Sequence, residues 1–99
     1  MAEEKIVAVR IEGHVQGVGF RAFVEHEAEQ RRVNGWVRNR LNGDVEAVFA
    51  GSQQAVDALI EICRRGPSQA RVVNLMVRTP EANELIDLPR SGFHLRPTI

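Results

Sequence analysis

The chain has 99 residues, 43% of them hydrophobic and 26% charged, which suits one ordinary globular domain spanning residues 1–99 and excludes a disordered polypeptide. Thirteen basic residues balance thirteen acidic ones, so the net charge is zero and no broad basic face for nucleic acid is expected. Cys63 is the only cysteine, which rules out an internal disulfide and a cysteine-rich zinc site.

No apolar run approaches the roughly 20 residues that a membrane helix needs. The start, Met1-Ala2-Glu3-Glu4-Lys5, is acidic and lacks the apolar stretch of a signal peptide, so a cytoplasmic protein is expected. Ile6 to Glu12 reads as a first strand, with Val7, Val9 and Ile11 alternating against Ala8, Arg10 and Glu12. A glycine-bearing loop, Gly13 to Gly19, leads into a helix from about Phe20 to Arg31, its apolar stripe formed by Phe20, Phe23, Val24 and Ala28. Gly35–Arg40 and Val45–Ala50 read as the second and third strands, joined by a hairpin at Asn42-Gly43, where positive φ is cheap.

Ser52 or Gly51 caps a second helix, whose Val56, Leu59, Ile60 and Cys63 form one apolar face and which Gly66-Pro67 stops. A fourth strand runs from Arg71 to Arg78, with Val73, Leu75 and Val77 as its apolar side. A polar segment from Thr79 to Ser91 then leads to a short last strand, Phe93 to Arg96. Strand–helix–strand–strand–helix–strand is the split βαβ, ferredoxin-like α+β plan, an antiparallel sheet with two helices on one face. That plan hosts many functions, so function must come from a site.

The loop Val15-Gln16-Gly17-Val18-Gly19-Phe20-Arg21 carries such a site. Glycines at alternate positions let successive N–H groups point into one concavity, and the helix behind them adds its own unpaired N–H groups and positive dipole end. Arg21 sits in the first helical turn, where a cation is disfavoured by roughly 0.3–1 kcal/mol unless an anion binds beside it. A tight glycine-eased turn would use the same residues, and the pattern is neither a Walker A loop nor a GxGxxG fingerprint. Asn39 is the second marker. Asparagine is disfavoured in strands, and alternation puts it on the side of Val37, where an uncharged amide can orient a water molecule or serve a local backbone hydrogen bond.

Together, Val15–Arg21 and Gly35-Trp36-Val37-Arg38-Asn39 resemble the two signature motifs of the acylphosphatases. Asn42-Gly43-Asp44-Val45-Glu46, the stretch from Gly66-Pro67 to Ala70-Arg71-Val72, and Gly92-Phe93 match as well, so the resemblance covers Ile6 to Arg96. It implies a ferredoxin-like fold and hydrolysis of carboxyl phosphates to carboxylate and inorganic phosphate, without metal or other cofactor. Carried onto this chain, Arg21 clamps the phosphoryl group, Val15, Gln16, Gly17, Val18, Gly19 and Phe20 form the loop that cradles it, and Asn39 orients the attacking water. A small acyl phosphate is the implied partner, inorganic phosphate both product and inhibitor, and a monomer the expected state. Two departures concern stability: Arg31-Arg32 stand where the first helix of the family ends in an apolar residue and glycine, and Pro97 follows Arg96 where an aromatic is common.

The remaining marked residues have plain structural readings. Cys63 is a buried thiol, His14 a turn residue, and His26 and His94 are solvated, with no metal-ligand spacing among the three histidines. Trp36 reads as a half-buried strand aromatic, and Arg31-Arg32 and Arg64-Arg65 as cations in last helical turns. An RNA-binding sheet would need stacking aromatics on central strands, and this chain has five aromatics and no tyrosine. A module within a larger maturation protein is the other alternative, against which stand the chain's length and its lack of zinc-finger cysteines.

Overall fold

The computed structural model describes residues 3–99, so of the acidic start only Met1 and Ala2 lie outside it. Strand β1 (Glu4–His14) is followed by helix α1 (Phe20–Gln30), strands β2 (Asn34–Asn39) and β3 (Val45–Ser52), helix α2 (Gln53–Arg65), strand β4 (Arg71–Arg78), a short helix α3 (Ala82–Ile86) and strand β5 (Phe93–Leu95). The sheet order is β4-β1-β3-β2-β5. The first four strands pair antiparallel in the ferredoxin-like arrangement, and β5 adds to the edge of β2 in parallel, with Val37 opposite Leu95.

Period-two alternation sorts the strand side chains between two faces. Val7, Val9, Ile11, Val37, Val45, Ala47 and Phe49 meet Phe20, Val24 and Ala28 of α1 and Val56, Leu59, Ile60 and Cys63 of α2 in the main core. Burial pushes the Cys63 thiol up to about 12, which keeps it protonated and inert. Ser52 caps α2, its Oγ accepting from the Ala55 amide at 3.2 Å, and Arg64 and Arg65 occupy the last turn.

The opposite face holds a second cluster that was not expected. Ala8, Trp36 and Val48 are buried there, and Leu88 packs on them. Trp36 is 1% exposed rather than half-buried, because α3 lies across it within the segment read as polar. Trp36 Nε1 donates to the Glu84 carbonyl at 3.4 Å, and Arg38 stacks on the indole 4.7 Å from its centroid. Glu81 and Glu84 form a reciprocal capping box at the start of α3, and the two Glu84 oxygens take a bidentate guanidinium from Arg78 at 2.6 and 2.7 Å. Those bonds hold the Glu84 carboxyl below its ordinary range.

Two further differences have local causes. A bulge at Val73 of β4 shifts the β1–β4 register opposite the Glu12–Gly13 step, so Val72 packs on the core and Val73 is 74% exposed instead of continuing the Leu75 face. Helix α1 ends at Gln30, one residue early, with Arg31 as its cap and an ion pair from Arg31 to Glu27 at 2.9 Å. Arg32 and Val33 donate to the Glu29 and Ala28 carbonyls, the pattern of a Schellman motif, with Arg32 at φ +56°. It is the one non-glycine residue with positive φ among the described residues. Arg32→Gly is therefore expected to stabilise the fold by about 0.5–1 kcal/mol, the relief of left-handed strain exceeding the added freedom of the unfolded chain. Thermal unfolding should show a rise of about 4 °C; an unchanged or lower midpoint would mean that Arg32 makes compensating contacts.

Candidate active site

The site lies at the end of the sheet where β1 passes into α1. Val15 is buried against the core and anchors the start of the loop, and Phe20 anchors its end, edge-on to Phe23 at 6.0 Å between centroids. Between these anchors Gly17 and Gly19 take φ +74° and +78° with Val18 on the ordinary side. That alternation of hand turns the intervening amides inward, which is the geometry of an anion nest. A Cβ on either glycine would meet nothing within 4 Å, so backbone conformation, not space, demands glycine here.

None of the backbone amides from Gln16 to Ala22 donates to a protein group among the described residues. The first α1 bond comes from Phe23 to the Gly19 carbonyl at 3.0 Å, so the amides of Phe20, Arg21 and Ala22 stay open behind the loop. Gly19 is the N-cap residue and supplies no side-chain acceptor, nor does the first turn contain a carboxylate. Arg21 is half-buried in that turn and enters no ion pair among the described residues. A cation, a dipole end and a set of open amides thus share one concavity with no counter-ion from the described residues.

Gln16 ties this loop to the β2–β3 hairpin. Its Nε2 donates to the Arg40 and Asp44 carbonyls, both at 2.8 Å. The hairpin itself is closed by Arg40 N to Asp44 O at 2.8 Å and by Asn42, whose Oδ1 accepts from the Asp44 amide. On its outer face Glu46, itself buried, takes guanidinium contacts from Arg38 at 2.6 Å and Arg40 at 3.3 Å, while Arg10 pairs with Asp44. The C-terminal segment braces the other side, with Arg96 N on the Val37 carbonyl and Ile99 N on that of Asn39.

These contacts hold Asn39 at the end of β2, half-buried and on the face of Val37, as alternation requires. A cavity of about 170 Å³ opens there, lined by Val15, Gln16, Gly17, Gly19, Phe20, Arg21 and Asn39, together with Ala22 and Leu95. Val18 does not line it; its side chain packs against the core. Ala22 and Leu95 were not marked in the sequence. Ala22 follows from its place one residue beyond Arg21, but Leu95 reaches the cavity only through the parallel pairing of β5 with β2. His14, His26 and His94 are all exposed and outside the cavity; His14 closes β1 instead of standing in a turn.

The acylphosphatase family model matches residues 7–94. An acylphosphatase of Rhodopseudomonas palustris strain CGA009 is 56% identical over 97% of this chain and 98% of its own length. One from strain BisB18 of the same species is 50% identical over 92% and 93%. The solved structure of an acylphosphatase from Coxiella burnetii superimposes with a TM-score of 0.82 at 35% identity, covering 94% of this chain and 93% of that one. The chain belongs to the acylphosphatase family of acyl phosphate hydrolases.

Proposed function

We propose that this cavity hydrolyses small acyl phosphates with the phosphoryl group seated in the loop. The amides from Gln16 to Phe20 and the Arg21 guanidinium take the phosphoryl oxygens, and the Asn39 carboxamide orients the attacking water. The supporting observation is that an unpaired Arg21, the open amides of the nest and Asn39, from a different strand, line one cavity.

The chemistry asks for little more. The leaving carboxylate has a conjugate acid of pKa roughly 4, so it departs without a general acid. What remains is to neutralise charge on the equatorial oxygens and to place water in line, which is electrostatics and positioning. Asn39 accepts no proton at neutral pH; its carbonyl oxygen accepts a hydrogen bond from water, and the proton leaves to substrate oxygen or solvent. Water oxygen bonds to phosphorus, the bridging P–O bond breaks, and the pair of electrons goes to the carboxylate.

The same reading takes the protein as a cytoplasmic monomer, in keeping with one buried thiol and balanced charge. Benzoyl phosphate hydrolysis tests the reading. Turnover is expected to be unaffected by EDTA and competitively inhibited by inorganic phosphate. Loss of turnover with EDTA would oppose the metal-free mechanism, and absence of phosphate inhibition would oppose the loop as the phosphoryl seat.

A further inference from the structure

The cavity has a polar half and an apolar half, and the proposed mechanism uses only the first. Its volume of about 170 Å³ is well below the roughly 300 Å³ at which pockets begin to enclose a drug-sized ligand. With a phosphoryl group seated in the loop, the acyl group must extend across the mouth. Val15 and Phe20 are 1% and 2% exposed and offer it almost no surface. Leu95 is 45% exposed and lines the cavity from the neighbouring strand.

Register places that side chain. Leu95 lies opposite Val37 in the parallel β2–β5 pair, and Asn39 is two residues further along on the same face, about 7 Å of strand. Leu95 therefore stands on the Asn39 side of the cavity, the side proposed above for the attacking water. Charge points the same way. Among the described residues Arg21 is the only charged one lining the cavity, and it is committed to the phosphoryl group. No second cation is available there for an acyl carboxylate, and no anion for an acyl ammonium.

We propose that Leu95 is the specificity-determining residue of this site and selects acyl phosphates whose acyl group is bulky, apolar and uncharged. The inference rests on the phosphoryl group occupying the loop as proposed above. Apolar contact with Leu95 holds the acyl carbonyl over the loop, and a small acyl group such as acetyl reaches too little of it to gain.

The test compares kcat/KM for benzoyl phosphate and acetyl phosphate in the native protein, Leu95→Ala and Leu95→Phe, with inhibition by inorganic phosphate measured alongside. The native protein should favour benzoyl phosphate. Leu95→Ala should lower the benzoyl-to-acetyl ratio about tenfold, and Leu95→Phe should raise it at least about twofold. Phosphate inhibition should stay within about twofold in both variants. An unchanged ratio in either folded variant overturns the proposal, and the two are independent should one fail to fold. A native protein that turns over both substrates without phosphate inhibition would instead overturn the seating of the phosphoryl group.

Discussion

Arg21→Ala is expected to lower kcat/KM for benzoyl phosphate by about three orders of magnitude or more, and to weaken inhibition by inorganic phosphate in the same protein. Both losses follow from one cause. The guanidinium is the only charged group lining the cavity among the described residues, and in the proposed mechanism it meets the anion as substrate, transition state and product alike. Removing it leaves amides alone to hold a multiply charged group. Arg21→Lys should recover only part of the loss, since an ammonium keeps the charge but not the two-pronged geometry. The fold should not suffer, because alanine in the first turn removes an unfavourable cation–dipole contact and breaks no ion pair of the described residues. The discriminating measurement is the phosphate inhibition constant. If it is unchanged while turnover falls, Arg21 acts on chemistry without binding phosphate, and the clamp role is wrong.

Asn39→Ala should separate the two properties that Arg21→Ala loses together. We expect kcat to fall by about 10²–10³-fold, the scale of losing one aimed polar group from a site that works by positioning. Phosphate should still bind with nearly native affinity, because the loop and Arg21 are untouched. The backbone contacts at position 39, to Val45 across the hairpin and to Ile99, do not involve the side chain, so the melting temperature should change little. A loss confined to KM with kcat intact would identify Asn39 as a ground-state binding group instead. Full activity would remove it from the mechanism.

Local signals in the sequence read well wherever local physics decides the outcome. The strand alternation in β1, the Asn42-Gly43 hairpin, the apolar face of α2 with its Ser52 cap, and the loop with its displaced arginine all depend on neighbours a few residues away. Even the left-handed strain at Arg32 was visible, as an arginine where a helix C-terminus prefers glycine. What escaped depends on distant partners. Val73 belongs by period to the Leu75 face, and only its place as the extra residue of a β4 bulge, opposite the Glu12–Gly13 step of β1, turns it out to solvent. Helix α3 is too short for periodicity to register, although Glu81 and Glu84 after Pro80 carried the spacing of a capping box. Trp36 is fully buried because α3 covers it, and Leu95 enters the site because β5 docks beside β2.

The paired bonds from Gln16 to the hairpin bear on how a substrate arrives. A loop rich in glycine would ordinarily wander, and a ligand would have to freeze it on each encounter. Here the carboxamide fastens the loop to two carbonyls of a separate element, at 2.8 Å each, while Gly17 and Gly19 remain exposed at the surface. The entropy of ordering the loop is therefore spent once, when the chain folds. In the proposed reading, capture of the anion becomes an encounter with a loop already fastened in place, and product leaves by the same open side.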